Sequence, residues 1–266
     1  WINSQKDEGL RPDNIREDKD PYLSVMVKIY RSYEELCNRL GVIDFAELLL
    51  RALELLKNCP SVLAHYQNRF KHILIDEFQD TNSVQYQWLK TLSSSFSDVT
   101  AVGDDDQSIY GWRGAKVENI LSFERDFKET KVVKLEQNYR STSNILNSAN
   151  AVIKRNADRL GKNLWTDLGE GEPIFLYSAF NENDEARYIV ENLKSWIDQG
   201  NNRQDAAVLY RSNDQSRVIE SALLQFDIPY RVYGGQRFFE RLEIKNALAY
   251  MRLILNCHDD VAFERV

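Results

Sequence analysis

Long apolar runs are the first thing this chain lacks. No stretch approaches the roughly 20 residues a membrane-crossing helix needs, and no secretory leader pattern is present, so no membrane role is read from it. Cysteine is scarce. Cys37, Cys59 and Cys257 lie far apart, which excludes a disulfide framework and leaves reduced thiols of a cytosolic protein. Three scattered histidines, His65, His72 and His258, have no metal-ligand spacing. Basic charge is also short. Against 41 Asp and Glu stand 34 Lys and Arg, a net charge of -7, which excludes a global basic field but not a local basic groove. Internal repeats and low-complexity tracts are absent.

What is present supports packed cores. Apolar residues make up 43% of the 266 and aromatics 11%, enough to argue against disorder and to fill one large domain or two small ones. Because the chain opens on Trp1 without an initiator Met and closes on Arg265-Val266 inside a helix-like stretch, it is expected to be a piece of a longer protein.

Residues 1–70 read as helical and charged, punctuated by Pro12, Asp20-Pro21 and Gly41. Apolar residues recur near helical period over 22–40 and 43–56, and Asp44 with Glu47 three positions on has capping-box spacing. From residue 72 the pattern becomes β-α alternation. Strands are expected at 72–75, 99–102, 132–135, 174–177, 206–210 and 230–233. Helices are expected at 83–92, 117–123, 141–155, 182–197, 215–226 and 244–255, with Ser141 or Thr142 capping the third of these. Such alternation argues an α/β fold with parallel sheets covered on both faces.

Three constellations carry chemistry. The first is H-I-L-I-D-E-F-Q-D-T-N, residues 72–82, in which Asp76 and Glu77 follow the end of a short apolar strand. Carboxyl ends of strands are where ligands bind in open α/β sheets. Adjacent acids repel and lose hydration there unless a cation compensates, and a magnesium ion is the usual one, as in the Walker B site of nucleotide hydrolases. A solvated acidic pair is the plainer alternative. The second, G-D-D-D-Q-S-I-Y-G-W-R-G-A (103–115), follows the next strand. Gln107 can sense a terminal phosphate or hold a water. Tyr110, Trp112 and Arg113 suit stacking on unpaired bases, or else the rings close the core beneath the loop. The third is L-E-Q-N-Y-R-S (135–141), where Arg140 precedes a helix start and can serve as an arginine finger, or pair with an acid such as Glu136. Tyr139 can stack on a base.

In this order and spacing the three strings resemble motifs of the UvrD/Rep/PcrA family of superfamily 1 DNA helicases. D-F-A-E-L-L (44–49), A-V-L-Y-R-S-N (207–213) and Y-G-G-Q-R-F-F-E-R-L-E-I-K (233–245) look like further family blocks, so the likeness covers nearly the whole chain. It implies RecA-like P-loop NTPase lobes with parallel sheets plus helical inserted subdomains. Residues 1–70 would be part of a helical accessory subdomain, 71–136 the end of the first lobe, 137–233 much of the second, and 234–266 the start of another accessory subdomain. It also implies roles. Asp76 would hold Mg²⁺, Glu77 would act as general base on the attacking water, Gln107 would contact the γ-phosphate of ATP, and Arg140 would stabilise the transferring phosphoryl group. Tyr139 would stack on adenine. Tyr110, Trp112 and Arg113 would lie along single-stranded DNA, helped by Arg211 and Asn213. The implied protein is cytoplasmic, bacterial and nucleoid-associated. It moves 3′ to 5′, acts at single-strand/duplex junctions and takes DNA-repair proteins as partners.

One family element is missing. No G-x-x-x-x-G-K-[ST] occurs here, so the phosphate-cradling loop is expected upstream of Trp1 and later motifs beyond Val266. The 266 residues alone are therefore expected neither to bind ATP tightly nor to hydrolyse it. Two alternatives stand beside the motor: the helicase part of a helicase–nuclease, and a non-catalytic single-strand-binding or interaction module.

Overall fold

The computed structural model describes residues 1–17, 20–95, 98–157, 159–233 and 242–266. They form two compact units, Trp1–Ile174 and Phe175–Val266. Among the described residues no helix is long and apolar enough to cross a membrane.

The first unit opens with helices α1 (Ile2–Asp7), α2 (Pro21–Leu40), α3 (Phe45–Asn58) and α4 (Pro60–Arg69). Asp20 caps α2 by accepting from the Tyr22 N–H at 2.9 Å, with Pro21 at the first helical position, where its missing N–H costs nothing. Gly41, at φ 67°, closes the helix in the left-handed conformation that favours glycine. Asp44 caps α3, accepting from the Glu47 N–H at 2.7 Å.

The expected capping box at Asp44 is realised on one side only. The Glu47 carboxylate instead meets three cations: Lys6 at 2.9 Å, Arg11 at 2.9 Å and Arg51 at 2.5 Å. Charge-assisted bonds are about twice as strong as neutral ones, so the cations win over one backbone N–H. Lys6 is only 2% exposed and also meets Asp44 at 2.7 Å. Arg11 extends the network to Glu34 at 2.5 Å and Glu54 at 2.7 Å. The first helices are thus joined by a largely buried ionic cluster, beside a small apolar cluster of Leu50, Leu53 and Val84.

Next come β1 (Ile73–Ile75), α5 (Ser83–Leu92), β2 (Val99–Ala101) and α6 (Glu118–Asp126). The strands pair in parallel, with Ile73 opposite Val99 and Ile75 opposite Ala101. Asn82 and Gln85 complete a capping box at the start of α5. Phe78, Tyr86, Leu89 and Phe123 form the core beneath the strand pair, joined by Ile73, Ile75, Val99 and Ala101. The Tyr86 hydroxyl donates to Asp126 at 2.9 Å and ties α5 to α6. Helix α7 (Ser143–Ile153) follows, with Thr142 at its N-cap position but making no side-chain cap bond. Residues 136–138 meet Trp165: the Asn138 N–H donates to the Trp165 carbonyl at 2.7 Å, and the Trp165 N–H to the Glu136 carbonyl at 3.0 Å.

The second unit holds α8 (Glu182–Asp198), α9 (Asn213–Gln225), α10 (Leu242–Leu255) and α11 (Asp260–Arg265). Val190, Leu223 and Ile228 form the core of the α8–α9 pair.

Four expected strands, at 132–135, 174–177, 206–210 and 230–233, join no ladder among the described residues. Most of their apolar side chains stay exposed, Leu176 at 98% and Leu209 at 93%. A β-rich stretch becomes a strand only where a neighbouring strand accepts its backbone groups, and among the described residues 73–75 and 99–101 form the one ladder. Residues 234–241, within the family-like block at 233–245, lie outside the described residues.

The ionic cluster gives a pH signature. Burial opposes ionisation of Glu47, but hydrogen bonds from Arg11, Arg51 and Lys6 outweigh it and hold the carboxyl at about 2, below its ordinary 4.5. A depressed carboxyl contributes stability above its unfolded value and loses it as the folded group is protonated. Thermal melts of the chain should therefore weaken as pH falls from 4.5 towards about 2. Glu47→Gln should cost about 3 kcal/mol at neutral pH and flatten that dependence, as chemical unfolding at several pH values would measure.

Candidate nucleotide and strand site

The exits of the two strands are laced together. The Val102 N–H donates to the Ile75 carbonyl at 2.8 Å, and the Phe78 N–H to the Val102 carbonyl at 3.0 Å. These bonds set residues 76–80 beside residues 102–104. Asp76 and Glu77 are both exposed at this rim, and Asp76 Oδ1 accepts from the Glu77 N–H at 2.9 Å. Glu77 is at φ 50°, ψ 43°, a left-handed conformation uncommon for a residue with a side chain. Its Oε2 accepts from Gln79 Nε2 at 2.7 Å, and Gln79 Oε1 accepts from the Asp104 N–H at 2.9 Å. Asp104 Oδ2 in turn accepts from Gln107 Nε2 at 2.7 Å. Two sequence-predicted residues, Glu77 and Gln107, are therefore brought into one hydrogen-bonded chain through Gln79 and Asp104.

The three acids that follow Gly103 could close on a cation by geometry alone, since their oxygens lie within 4.8 Å of one another. Their charge is already met from within the chain. Asp106 accepts twice from Arg159, at 2.6 and 2.5 Å. Asp104 pairs with Lys162, and Asp105 accepts from the Leu160 N–H at 2.8 Å. Burial opposes ionisation of Asp104, but the Lys162 ammonium and the Gln107 amide more than offset it, so its carboxyl lies below the usual range. The 159–162 segment is itself fastened to the chain just before the third constellation, because Lys134 Nζ donates to the carbonyls of Leu160 and Gly161 at 2.9 and 2.7 Å.

The loop after Gln107 presents Trp112 outward, with Tyr110 half-buried beside it. Trp112 is 69% exposed, so it does not close the core. The Arg113 guanidinium lies 4.8 Å from the Tyr110 ring and 4.5 Å from the Trp112 ring, stacking distances for a cation on aromatic faces. The loop is anchored behind these groups by the Lys116 N–H and Asn119 Nδ2, which both donate to the Thr81 carbonyl, at 2.9 and 3.0 Å.

Tyr139 and Arg140 are exposed, with the Tyr139 hydroxyl donating to Gln137 at 2.8 Å. The alternative pairing of Arg140 with Glu136 is not formed: Glu136 Oε1 accepts from the Asn163 N–H at 3.0 Å. Among the described residues no ion pair engages the Arg140 guanidinium, and no hydrogen bond joins it to Asp76 or Glu77. In the second unit Arg211 and Asn213 are exposed at the start of α9, where Gln215 Oε1 accepts from the N–H groups of Arg211 and Ser212 at 2.9 and 3.0 Å.

Sequence reasoning missed Gln79, Arg159 and Lys162. Gln79 stands inside the first motif string, but nothing in its spacing marks it as the bridge between two loops. Arg159 lies 53 positions from the acid it grips, so no local pattern could have found it.

Comparison with known proteins places the whole chain among helicases. Residues 1–128 match the model of the UvrD/REP helicase N-terminal domain, and residues 133–266 that of the UvrD-like helicase C-terminal domain. Over all 266 residues the chain is 60% identical to DNA helicase II of Escherichia coli (strain K12), covering 37% of that protein. It is 58% identical to DNA helicase II of Haemophilus influenzae, covering 36% of it, again over the whole chain. It is 44% identical to the ATP-dependent DNA helicase PcrA of Staphylococcus aureus (strain Mu50), also across its full length and 36% of the relative. The chain thus spans little more than a third of these relatives. Matched from its first residue to its last, with both motif loops meeting at one pair of parallel strand ends, the chain belongs to the UvrD/Rep family of helicases.

Proposed function

We propose that this chain supplies the hydrolytic rim and part of the strand-contacting surface of an ATP-dependent DNA helicase that moves 3′ to 5′ on one strand and separates duplex in DNA repair. The observation that carries the proposal is the hydrogen-bonded chain from Glu77 through Gln79 and Asp104 to Gln107 at the ends of β1 and β2. Family membership and the helicase names of the relatives support it.

The donor set at the rim suits Mg²⁺. Asp76 is an exposed carboxylate with one oxygen held by the Glu77 N–H and the other accepting no hydrogen bond among the described residues. A hard dication takes such oxygens. When bound, the ion would neutralise charge on the phosphates of ATP. The chain's own residues do the rest. Glu77, held in one conformation, takes the proton of the attacking water. Gln107 contacts the γ-phosphate and, through Asp104 and Gln79, reports its presence to Glu77. Arg140, whose guanidinium meets no carboxylate among the described residues, places it on the charge that develops in transfer, and Tyr139 offers a ring for adenine.

Tyr110, Trp112 and Arg113 stack along single-stranded DNA next to this rim, with Arg211 and Asn213 adding contacts from a second RecA-like lobe over 137–233. Residues 71–136 complete the first lobe, and 1–70 and 234–266 belong to accessory subdomains. An assembled motor alternates between closed and open lobes as nucleotide binds and leaves. Single-strand/duplex junctions and DNA-repair proteins are its partners, in the bacterial cytoplasm at the nucleoid. The exposed Trp112 and Arg113 would also serve a non-catalytic strand binder, which differs from the motor in having no use for Glu77.

Three measurements test the proposal, the first of which separates it from the strand binder. In the protein that carries this chain at the full length of its relatives, Glu77→Gln should abolish DNA-stimulated ATP hydrolysis and spare DNA binding; turnover that survives would remove Glu77 as the base. Trp112→Ala should weaken single-strand binding by about 1–3 kcal/mol, read by fluorescence titration with an oligonucleotide. The 266 residues by themselves, lacking a G-x-x-x-x-G-K-[ST] loop, should show no ATP turnover in a phosphate-release assay.

A further inference from the structure

Gln79 is the most confined polar side chain at the rim, 1% exposed, while Glu77 beside it is exposed. Its amide has only one consistent orientation. The Asp104 N–H can only donate, so Gln79 must turn its Oε1 to that group, at 2.9 Å, and Nε2 then faces the Glu77 carboxylate, at 2.7 Å. The site is shaped around this amide: a Cβ added at Gly103 would lie 2.9 Å from Gln79 Oε1 and 3.2 Å from Phe78 Cβ, so residue 103 must be small for the loop to come this close. On the other side, Glu77 holds a left-handed conformation, at φ 50°, that costs a side-chain-bearing residue free energy and persists only where its surroundings enforce it.

We propose that Gln79 is a positioning residue for hydrolysis: its buried amide fastens the Glu77 carboxylate in the left-handed turn and sets it in register with the loop that carries Gln107. The function of the bridge rests on Glu77 being the hydrolytic base, whereas its existence as a donor–acceptor device does not. A glutamine suits the place because one rigid amide satisfies an acceptor on one loop and a donor on the other. Gln79→Glu keeps the acceptor for the Asp104 N–H but turns a carboxylate towards a carboxylate. Adding Glu77→Gln to it restores one donor and one acceptor with their positions exchanged.

The test has two arms. In the 266-residue chain, the Asp80 amide, which donates to the Glu77 carbonyl at 2.9 Å, reports on the turn by hydrogen exchange. Gln79→Glu should speed its exchange about tenfold, and the Glu77→Gln/Gln79→Glu pair should bring it back towards the original rate, with amides of α8 unmoved in both. In the full-length protein, Gln79→Glu and Gln79→Met should each lower kcat for ATP about 10- to 100-fold with KM changed less than about threefold, because the nucleotide still binds and only the base is misplaced. Exchange at Asp80 that ignores Gln79→Glu, or that the paired substitution does not restore, overturns the bridge; so does a rise in KM with kcat unmoved. If instead Glu77→Gln leaves ATP turnover intact while the exchange cycle behaves as described, the bridge stands and the hydrolytic role of Glu77 falls.

Discussion

Two backbone hydrogen bonds hold the strand exits of the first unit together: Val102 N–H to the Ile75 carbonyl, and Phe78 N–H to the Val102 carbonyl. They extend the three-residue parallel pairing of β1 and β2 past its last rungs and force the two departing loops to leave side by side. Parallel strands place both carboxyl ends on the same edge, so the acids after β1 and the acids and glutamine after β2 arrive at one place. The Phe78 ring beneath, 5.4 Å from that of Phe123 and 5.9 Å from that of Tyr86, secures the exit from below. Without that crossing Gln79 would have no second loop to reach.

Electrostatics then sort the carboxylates into two kinds. Asp104, Asp105 and Asp106 are satisfied internally by Arg159, Lys162 and the Leu160 N–H, which turns a run of three negative charges into a fastening between distant segments. Asp76 and Glu77 are exposed and meet no cation of the chain among the described residues. The same contrast separates the arginines, since Arg11 and Arg159 are engaged by carboxylates while, among the described residues, Arg140 and Arg113 are not. Groups whose charge is already balanced hold structure, and groups left unbalanced at a rim are the ones available to a charged ligand.

Much of the helical scaffold was legible in the chain. The expected helix at 83–92 matches α5 in both bounds, and Asp44 caps α3 as its spacing indicated. Helices depend on bonds three and four residues apart, so a local window contains the information. The strands at 72–75 and 99–102 were found within a residue, yet those expected at 132–135, 174–177, 206–210 and 230–233 did not pair among the described residues, because pairing needs a partner that periodicity cannot name. The Asp44–Glu47 spacing shows the limit at short range too: the pattern foretold a capping box, and Lys6 and Arg11, from a preceding helix and turn, drew the Glu47 side chain elsewhere.

By itself, then, the order of residues determined which side chains stand at the strand ends, where most helices run, and that rings and a guanidinium share one loop. Only the tertiary structure decided that Trp112 faces outward, that Arg140 is not spent on Glu136, that Arg159 and Lys162 neutralise the acids at 104–106, and that Gln79 spans from Glu77 to Asp104. The division follows from range. Backbone periodicity and capping are written within a few positions, whereas the partner of a buried amide or carboxylate is whichever group folding delivers to it from tens of residues away.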